Sequence, residues 1–154
     1  MPENDEHMGR RAYNGLMGFQ NPSRQEIKRL LASAKSIAVV GLSPRPDRPS
    51  HGVAAAMQRF GYRIVPVHPA VDTILGEKAY PDLDHLPEPV DIVDVFRAPE
   101  HVDAIVDQCI AHKCPTLWLQ EGVVNEAAAE RAWSAGITVV MDRCIYKDYL
   151  LNQH

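Results

Sequence analysis

The chain has 154 residues, of which 45% are hydrophobic, and a formal net charge of −4 from 16 basic and 20 acidic side chains. This length predicts one domain with a core of its own, and the acidic balance excludes a general nucleic-acid binder. No apolar run reaches the ~18 residues that span a bilayer, and the acidic start over residues 1–6 is not expected to be a secretory signal. The cysteines contain no Cys-x-x-Cys pair, which favours a reducing, cytoplasmic location.

The first 22 residues differ from the rest of the chain. They show no hydrophobic period, so residues 1–22 are interpreted as an N-terminal arm ahead of a domain over residues 23–154. Ser23 and Glu26 have the spacing of a capping box, in which each side chain bonds the other residue's backbone amide. Apolar residues at helical spacing follow from 27 to 34 and predict the first helix.

A strand, a loop and a helix then follow in a pattern that dominates the functional interpretation. Residues 36–41 form a short apolar run that ends at Gly41, which is typical of a buried parallel strand. A Pro- and Arg-rich loop leads to a helix that begins near Ser50 and ends before Gly61. Gly41 permits a sharp turn and close approach of a ligand, and a helix N-terminus suits a phosphate.

The remaining chain alternates strands with helices. Pro66 predicts that the second strand ends or kinks there, and Ile74 and Leu75 predict a short edge strand. The other elements are strands at 63–67, 91–96, 116–119 and 137–141, a helical turn near 83–86, and helices at 99–112, 126–134 (capped by Asn125) and 145–151. This alternation predicts an α/β, Rossmann-like, doubly wound parallel sheet of five or six strands in a three-layer α/β/α arrangement.

Ligands of such sheets bind beyond the carboxyl ends of the strands, so the loop after the first strand is a candidate ligand-binding segment. The loop is neither Gly-x-Gly-x-x-Gly nor a P-loop, since Gly-Lys-Ser/Thr is missing. Ser43, Arg48 and Ser50 are nevertheless hydroxyl and guanidinium donors near a helix N-terminus, which favours a phosphate site. The alternative is a solvated loop that its prolines stiffen.

Three further strand ends carry candidate ligand contacts. NAD-binding sheets usually place a carboxylate after the second strand, whereas this chain has His68, either a ligand contact or a surface turn residue. Phe96 and Arg97 follow the third strand and could meet an adenine or a phosphate; the alternative is a core Phe96 and an Arg97–Glu100 pair. After the fourth strand, Gln120 and Gly122 could line the pocket.

Cys144 follows the fifth strand, next to Arg143. A neighbouring cation can lower the pKa of a thiol and make it a nucleophile, but a thiol without a placed base is usually inert. No convincing catalytic triad, carboxylate pair or metal-ligand spacing is present in the sequence, so neither catalytic residues nor a metal site are predicted.

Several short motifs together resemble one family, the stand-alone bacterial CoA-binding proteins, whose fold is similar to the CoA-binding domain of the succinyl-CoA synthetase alpha subunit. The resemblance covers residues 24–148 and excludes the arm. The motifs lie at 38–43 with 48–50, 61–69, 74–77, 95–97, 120–126 and 139–144. One departure is His68, where the family commonly has Asn before the proline.

The resemblance implies a domain that binds coenzyme A or acyl-CoA, with the loop after the first strand on the phosphates and the second and third strand ends on the adenosine. The implied ligand contacts are Gly41, Leu42, Ser43, Arg48, Ser50, His68, Pro69, Phe96, Arg97, Ala98, Gln120 and Gly122.

The resemblance does not extend to the synthetase's phosphohistidine domain, so we expect a binding or regulatory module without chemistry of its own. Its partner is a small nucleotide ligand, with no nucleic acid or membrane. A protein partner, an NAD(P)-dependent oxidoreductase and a CoA-dependent transferase using Cys144 remain alternatives.

Overall fold

A five-stranded parallel sheet forms the centre of the structure, a computed structural model that describes residues 18–153. Its strands, with a separate β3–β4 hairpin, are β1 (Ser36–Val40), β2 (Arg63–Val67), β3 (Thr73–Ile74), β4 (Glu77–Lys78), β5 (Ile92–Val95), β6 (Thr116–Leu119) and β7 (Thr138–Met141). The helices are α1 (Arg24–Ser33), α2 (Pro49–Arg59), α3 (Val102–His112), α4 (Glu126–Ser134) and α5 (Ile145–Leu151), with single 3-10 turns at Leu83–His85 and Pro99–His101. The sheet order is β2-β1-β5-β6-β7, which confirms the predicted Rossmann-like fold.

The strands of the central sheet are buried on both faces, and this produces three layers. In β1, Ala38 and Val40 join the cluster formed with α3 and α4, whereas Ile37 and Val39 join the cluster formed with α1, α2 and α5. Successive strand residues point to opposite faces, so a continuous apolar run is what a sheet covered on both sides requires.

Short-range signals fixed the ends of two helices as the sequence predicts. The Ser23 hydroxyl accepts from the amide of Glu26 at 3.1 Å, and the Glu26 carboxylate accepts from the amide of Ser23 at 2.8 Å. Asn125 accepts from the amide of Ala128 at 3.0 Å and begins α4. Both caps satisfy amides that have no partner within the helix.

Two predictions about the second strand and the segment after it were wrong. β2 continues through Pro66 to Val67, because it lies at the sheet edge and the Pro66 carbonyl points outward to the amide of Tyr80 at 3.0 Å. The missing N–H of Pro66 therefore faces the same outer side, where no strand needs it. Ile74 lies in the antiparallel β3–β4 hairpin and not at the edge of the main sheet, and Leu75 lies in its turn with φ 55°.

The first described residues cover the opposite edge of the sheet. The Asn21 side chain donates to the carbonyl of Met141 at 3.0 Å and accepts from its amide at 2.7 Å. Phe19 packs edge-on against Trp133. An edge strand presents unpaired backbone groups, and one amide side chain satisfies two of them here. The rest of the predicted arm, residues 1–17, lies outside the described residues. Within residues 18–153 no helix has the length and apolarity needed to cross a membrane.

Candidate functional site

The strand order reverses between β1 and β5, and this point defines the candidate site. After β1 the chain passes to α2 on one face of the sheet, and after β5 it passes to α3 on the other. The two connections diverge at the carboxyl ends of the strands, and open α/β sheets bind their ligands outside the strand ends at such a point. We call this end of the sheet the carboxyl edge.

Gly41 packs directly against the chain that leaves β5. Its φ is +86°, and a Cβ built on it would lie 2.8 Å from the carbonyl oxygen of Phe96 and 2.9 Å from Cδ of Arg97. Both the left-handed backbone and the lack of space exclude a side chain at this position. The sequence-predicted residues Gly41, Phe96 and Arg97 are therefore neighbours.

The loop between β1 and α2 holds its shape through its own serines. The Ser50 hydroxyl is buried and accepts from the amide of Ser43 at 2.9 Å. The Ser43 hydroxyl accepts from the amide of Arg45 at 3.1 Å. A hydroxyl that accepts one hydrogen bond keeps a proton to donate, so both serines support the loop and can still donate to a ligand. Leu42 is fully buried, backbone included, and its predicted ligand contact stays a prediction.

The N-terminus of α2 has no side-chain cap. Arg48 is the N-cap residue with an extended backbone, Pro49 is the first helical residue, and no side-chain oxygen accepts from the first turn. The amides of His51 and Gly52 donate to the Arg48 carbonyl at 3.0 and 3.2 Å. The helix of 11 residues therefore directs its partial positive charge out of the protein.

Two arginines near this helix end carry guanidinium groups without a carboxylate partner among residues 18–153. These are Arg48, which is exposed, and Arg97, which is half-buried; the alternative Arg97–Glu100 pair does not form. Arg45, in the same loop, pairs with Asp47 at 3.2 Å. Phe96 is half-buried against the apolar cluster below it, in agreement with its alternative as a core residue.

His68 shapes the turn after β2. Its Nδ1 accepts from the amide of Ala70 at 3.0 Å, the bond that an Asn side chain makes to the residue two positions on in an Asx turn. In the neutral ring the proton then lies on Nε2, which can donate outward. The histidine thus preserves the backbone geometry of an Asn-Pro turn, and Pro69 is exposed beside it.

Gln120 and Gly122, after β6, bond to the segment after β7. The Gln120 side chain is buried, and its Oε1 accepts from the amide of Ile145 at 3.0 Å, which caps α5. The amide of Gly122 donates to Asp142 Oδ1 at 2.8 Å, and Asp142 itself has φ +62°. These bonds join two strand ends; a ligand contact of either residue stays a prediction.

The arginine beside Cys144 is engaged elsewhere. The Arg143 guanidinium donates to both carboxylate oxygens of Asp148, at 2.6 and 2.5 Å, and this pairing raises the pKa of Arg143. The Cys144 side chain is only 7% exposed. A guanidinium that already makes two hydrogen bonds to a buried carboxylate does little to stabilise a neighbouring thiolate.

A family model described as a CoA binding domain matches residues 35–149. The chain belongs to the CoA-binding domain family. It is 48% identical over 127 residues to the uncharacterized protein YneT of Bacillus subtilis, with 82% of this chain and 94% of YneT covered. A solved structure from Thermus thermophilus, described as cell-free ID.343, has a TM-score of 0.81 and 36% identity and covers 84% of this chain and 98% of its own. Acetate–CoA ligase [ADP-forming] II of Archaeoglobus fulgidus is 30% identical over 77 residues, 49% of this chain and 11% of the ligase.

Two carboxylates of this CoA-binding domain were not among the residues predicted from the sequence. Asp142 accepts a hydrogen bond from the amide of Gly122, as described above. The sequence signal for Asp142 is a polar residue between a strand and a helix. Asp94 lies in the central strand β5, 1% exposed, and its Oδ1 has no hydrogen-bond partner among the described residues. Burial raises the pKa of Asp94. The sequence signal for it is a carboxylate inside an otherwise apolar strand.

Proposed function

We propose that the carboxyl edge binds coenzyme A or acyl-CoA, with the pyrophosphate at the N-terminus of α2. The observation that carries the proposal is the uncapped first turn of α2, which lies beside the point where the strand order reverses. Pro49 has no amide proton, and the amides of His51 and Gly52 donate to Arg48, so the helix dipole and the amide of Ser50 are what the first turn offers to a pyrophosphate oxygen. Membership of the CoA-binding domain family supports this choice of ligand.

The surroundings of Gly41 supply the rest of the phosphate site. Because Gly41 has no side chain, the ends of β1 and β5 pack closely, and this brings Arg97 beside the loop that would hold the phosphate. Arg48, at the start of α2, adds a guanidinium that can bind phosphate oxygens in pairs. The hydroxyl groups of Ser43 and Ser50 would donate hydrogen bonds to the phosphate oxygens.

The adenosine would lie over the ends of β2 and β5. Arg97 and Ala98 follow β5, and His68 with Pro69 follows β2 on the far side of β1. The Arg97 guanidinium can stack on an adenine or bind a phosphate on the ribose, and His68 can donate from Nε2. The pantetheine arm would then extend along the carboxyl edge towards residues 120–123.

We propose a binding or regulatory role without chemistry of its own. The acetate–CoA ligase that the chain resembles is matched over 11% of its length, so that similarity concerns one part of a longer enzyme. Burial of Cys144 and the engagement of Arg143 by Asp148 support an inert thiol. We therefore expect Cys144 to react with a thiol reagent more slowly in the folded protein than after unfolding, in the reducing, cytoplasmic setting that the cysteines predict.

Titration calorimetry of the full chain tests the ligand. Coenzyme A, its form without the 3′-phosphate, ADP and NAD form a graded series that separates the contributions of the pyrophosphate, the ribose phosphate and the pantetheine arm. We expect coenzyme A to bind at least about tenfold more tightly than NAD, a difference of ~1.4 kcal/mol. Equal affinity for NAD would overturn the proposal, because the arm and the ribose phosphate would then contribute nothing.

A further inference from the structure

The end of α3 brings two cysteines together through a Schellman motif. The amide of Cys114 donates to the carbonyl of Cys109 at 3.0 Å, and the amide of Lys113 donates to the carbonyl of Ile110 at 3.2 Å. Lys113 has the left-handed conformation that this motif requires, with φ 55°. The side chains of the two residues joined by the outer bond commonly contact each other in this motif. Here both are thiols.

The two thiols differ in exposure and acidity. Cys109 is fully buried, whereas Cys114 is 8% exposed and lines a hollow of about 200 Å³ beside His112 and Lys113. A hydrogen bond from the Cys109 thiol to the Cys114 sulfur lowers the pKa of Cys114; together with burial it raises the pKa of Cys109. Cys114 is thus the member of the pair that an incoming small molecule reaches, and the one that ionises first.

We propose that Cys109 and Cys114 are a reversible modification site, a dithiol that peroxides oxidise to a disulfide. The Cys114 thiolate attacks one peroxide oxygen; an S–O bond forms, the O–O bond breaks, and the leaving hydroxide takes up a proton to become water. The sulfur of Cys109 then attacks Cys114, the S–S bond forms and the S–O bond breaks. The released hydroxide takes the Cys109 proton, so two thiols and one hydrogen peroxide give one disulfide and two waters.

This pair lies away from the carboxyl edge, because α3 ends and β6 begins at the amino ends of the strands. The inference therefore stands independently of coenzyme A binding. The crosslink closes a short loop between positions that the backbone already holds together. It thus removes little chain entropy and leaves the fold unchanged, which suits a bond that forms and is reduced again.

Peptide mapping by mass spectrometry of the full chain tests the proposal. After treatment with hydrogen peroxide and alkylation of the remaining thiols, we expect a crosslinked 109–114 segment lighter by about 2 Da, which dithiothreitol reverses. Cys144→Ser is the matched control and should form the same crosslink. In Cys109→Ser, which lacks the second thiol, Cys114 should instead gain ~16 or ~32 Da as sulfenic or sulfinic acid.

The wild-type protein alone can decide the question if a variant does not fold. Alkylation of both Cys109 and Cys114 after peroxide treatment would overturn the proposal. So would oxidation that collects at Cys144 while this pair stays reduced.

Discussion

Arg97 lies against the backbone of Gly41, with Cδ of the arginine 2.9 Å from the place where a glycine Cβ would be. This contact joins the ends of β1 and β5, the two strands between which the sheet order reverses. It brings the arginine Arg97, whose guanidinium has no carboxylate partner in residues 18–153, next to the backbone of Gly41. This contact and the positive φ of Gly41 are why any side chain at this position should destabilise the fold, whatever the ligand.

Gly41→Ala should lower the free energy of unfolding by about 1–3 kcal/mol and weaken coenzyme A binding. Gly122→Ala is the matched control, because its φ of +85° is nearly the same as the +86° of Gly41 but nothing lies within 4 Å of its Cβ position. The two variants share the backbone strain and differ in the collision with Phe96 and Arg97. Urea unfolding measures the difference, and equal losses would show that the collision is relieved at no cost.

Arg48→Ala should weaken coenzyme A binding by about 1–3 kcal/mol, the loss expected for a charge-assisted contact. Arg45→Ala removes the same charge from the same loop, but Arg45 pairs with Asp47, and we expect a smaller effect. Calorimetric titrations at low and high salt compare the variants. An Arg48→Ala affinity equal to that of the wild type would remove Arg48 from the site.

Gln120→Met should cost about 1–3 kcal/mol of stability, because it leaves the buried amide of Ile145 without an acceptor. Gln120→Glu retains an oxygen at the same position and should restore part of the loss, since a carboxylate is also favourable at the start of a helix. Denaturant unfolding of the three proteins tests this order. If Gln120→Glu is as unstable as Gln120→Met, the cap on α5 is not what Gln120 contributes.

Asp94 should make the protein less stable as the pH rises. Burial raises the pKa of Asp94 in the folded protein, so both folded and unfolded states hold the proton below the ordinary value of about 3.9. Above that value the unfolded chain ionises while the folded chain does not, and stability falls until the pH passes the raised pKa.

The variant Asp94→Asn isolates this effect because its side chain has a similar shape and does not titrate. The stability of Asp94→Asn relative to the wild type should increase by about 1–3 kcal/mol between about pH 4 and pH 7. All other titrating groups are common to both proteins and cancel in the difference. A gap that stays constant over this range would mean that Asp94 titrates alike in both states.

The sequence by itself determined the order and nature of the main elements. Apolar runs, helical periods, the Ser23–Glu26 capping box and the Asn125 cap depend on residues within a few positions of each other. Interactions of such short range leave a readable pattern in one sequence. The alternation of strands and helices then allows few topologies, which is why the parallel sheet could be predicted before its strand order was known.

Only the tertiary structure decided which side chains meet. Pro66 fits in β2 because that strand lies at an edge, Gln120 caps a helix that begins at Ile145, and Asp142 accepts from the amide of Gly122. Each pairing joins segments on different strands or helices, or depends on a strand's place in the sheet. The free energy that selects them comes from packing the whole domain, and no local pattern of residue types encodes it.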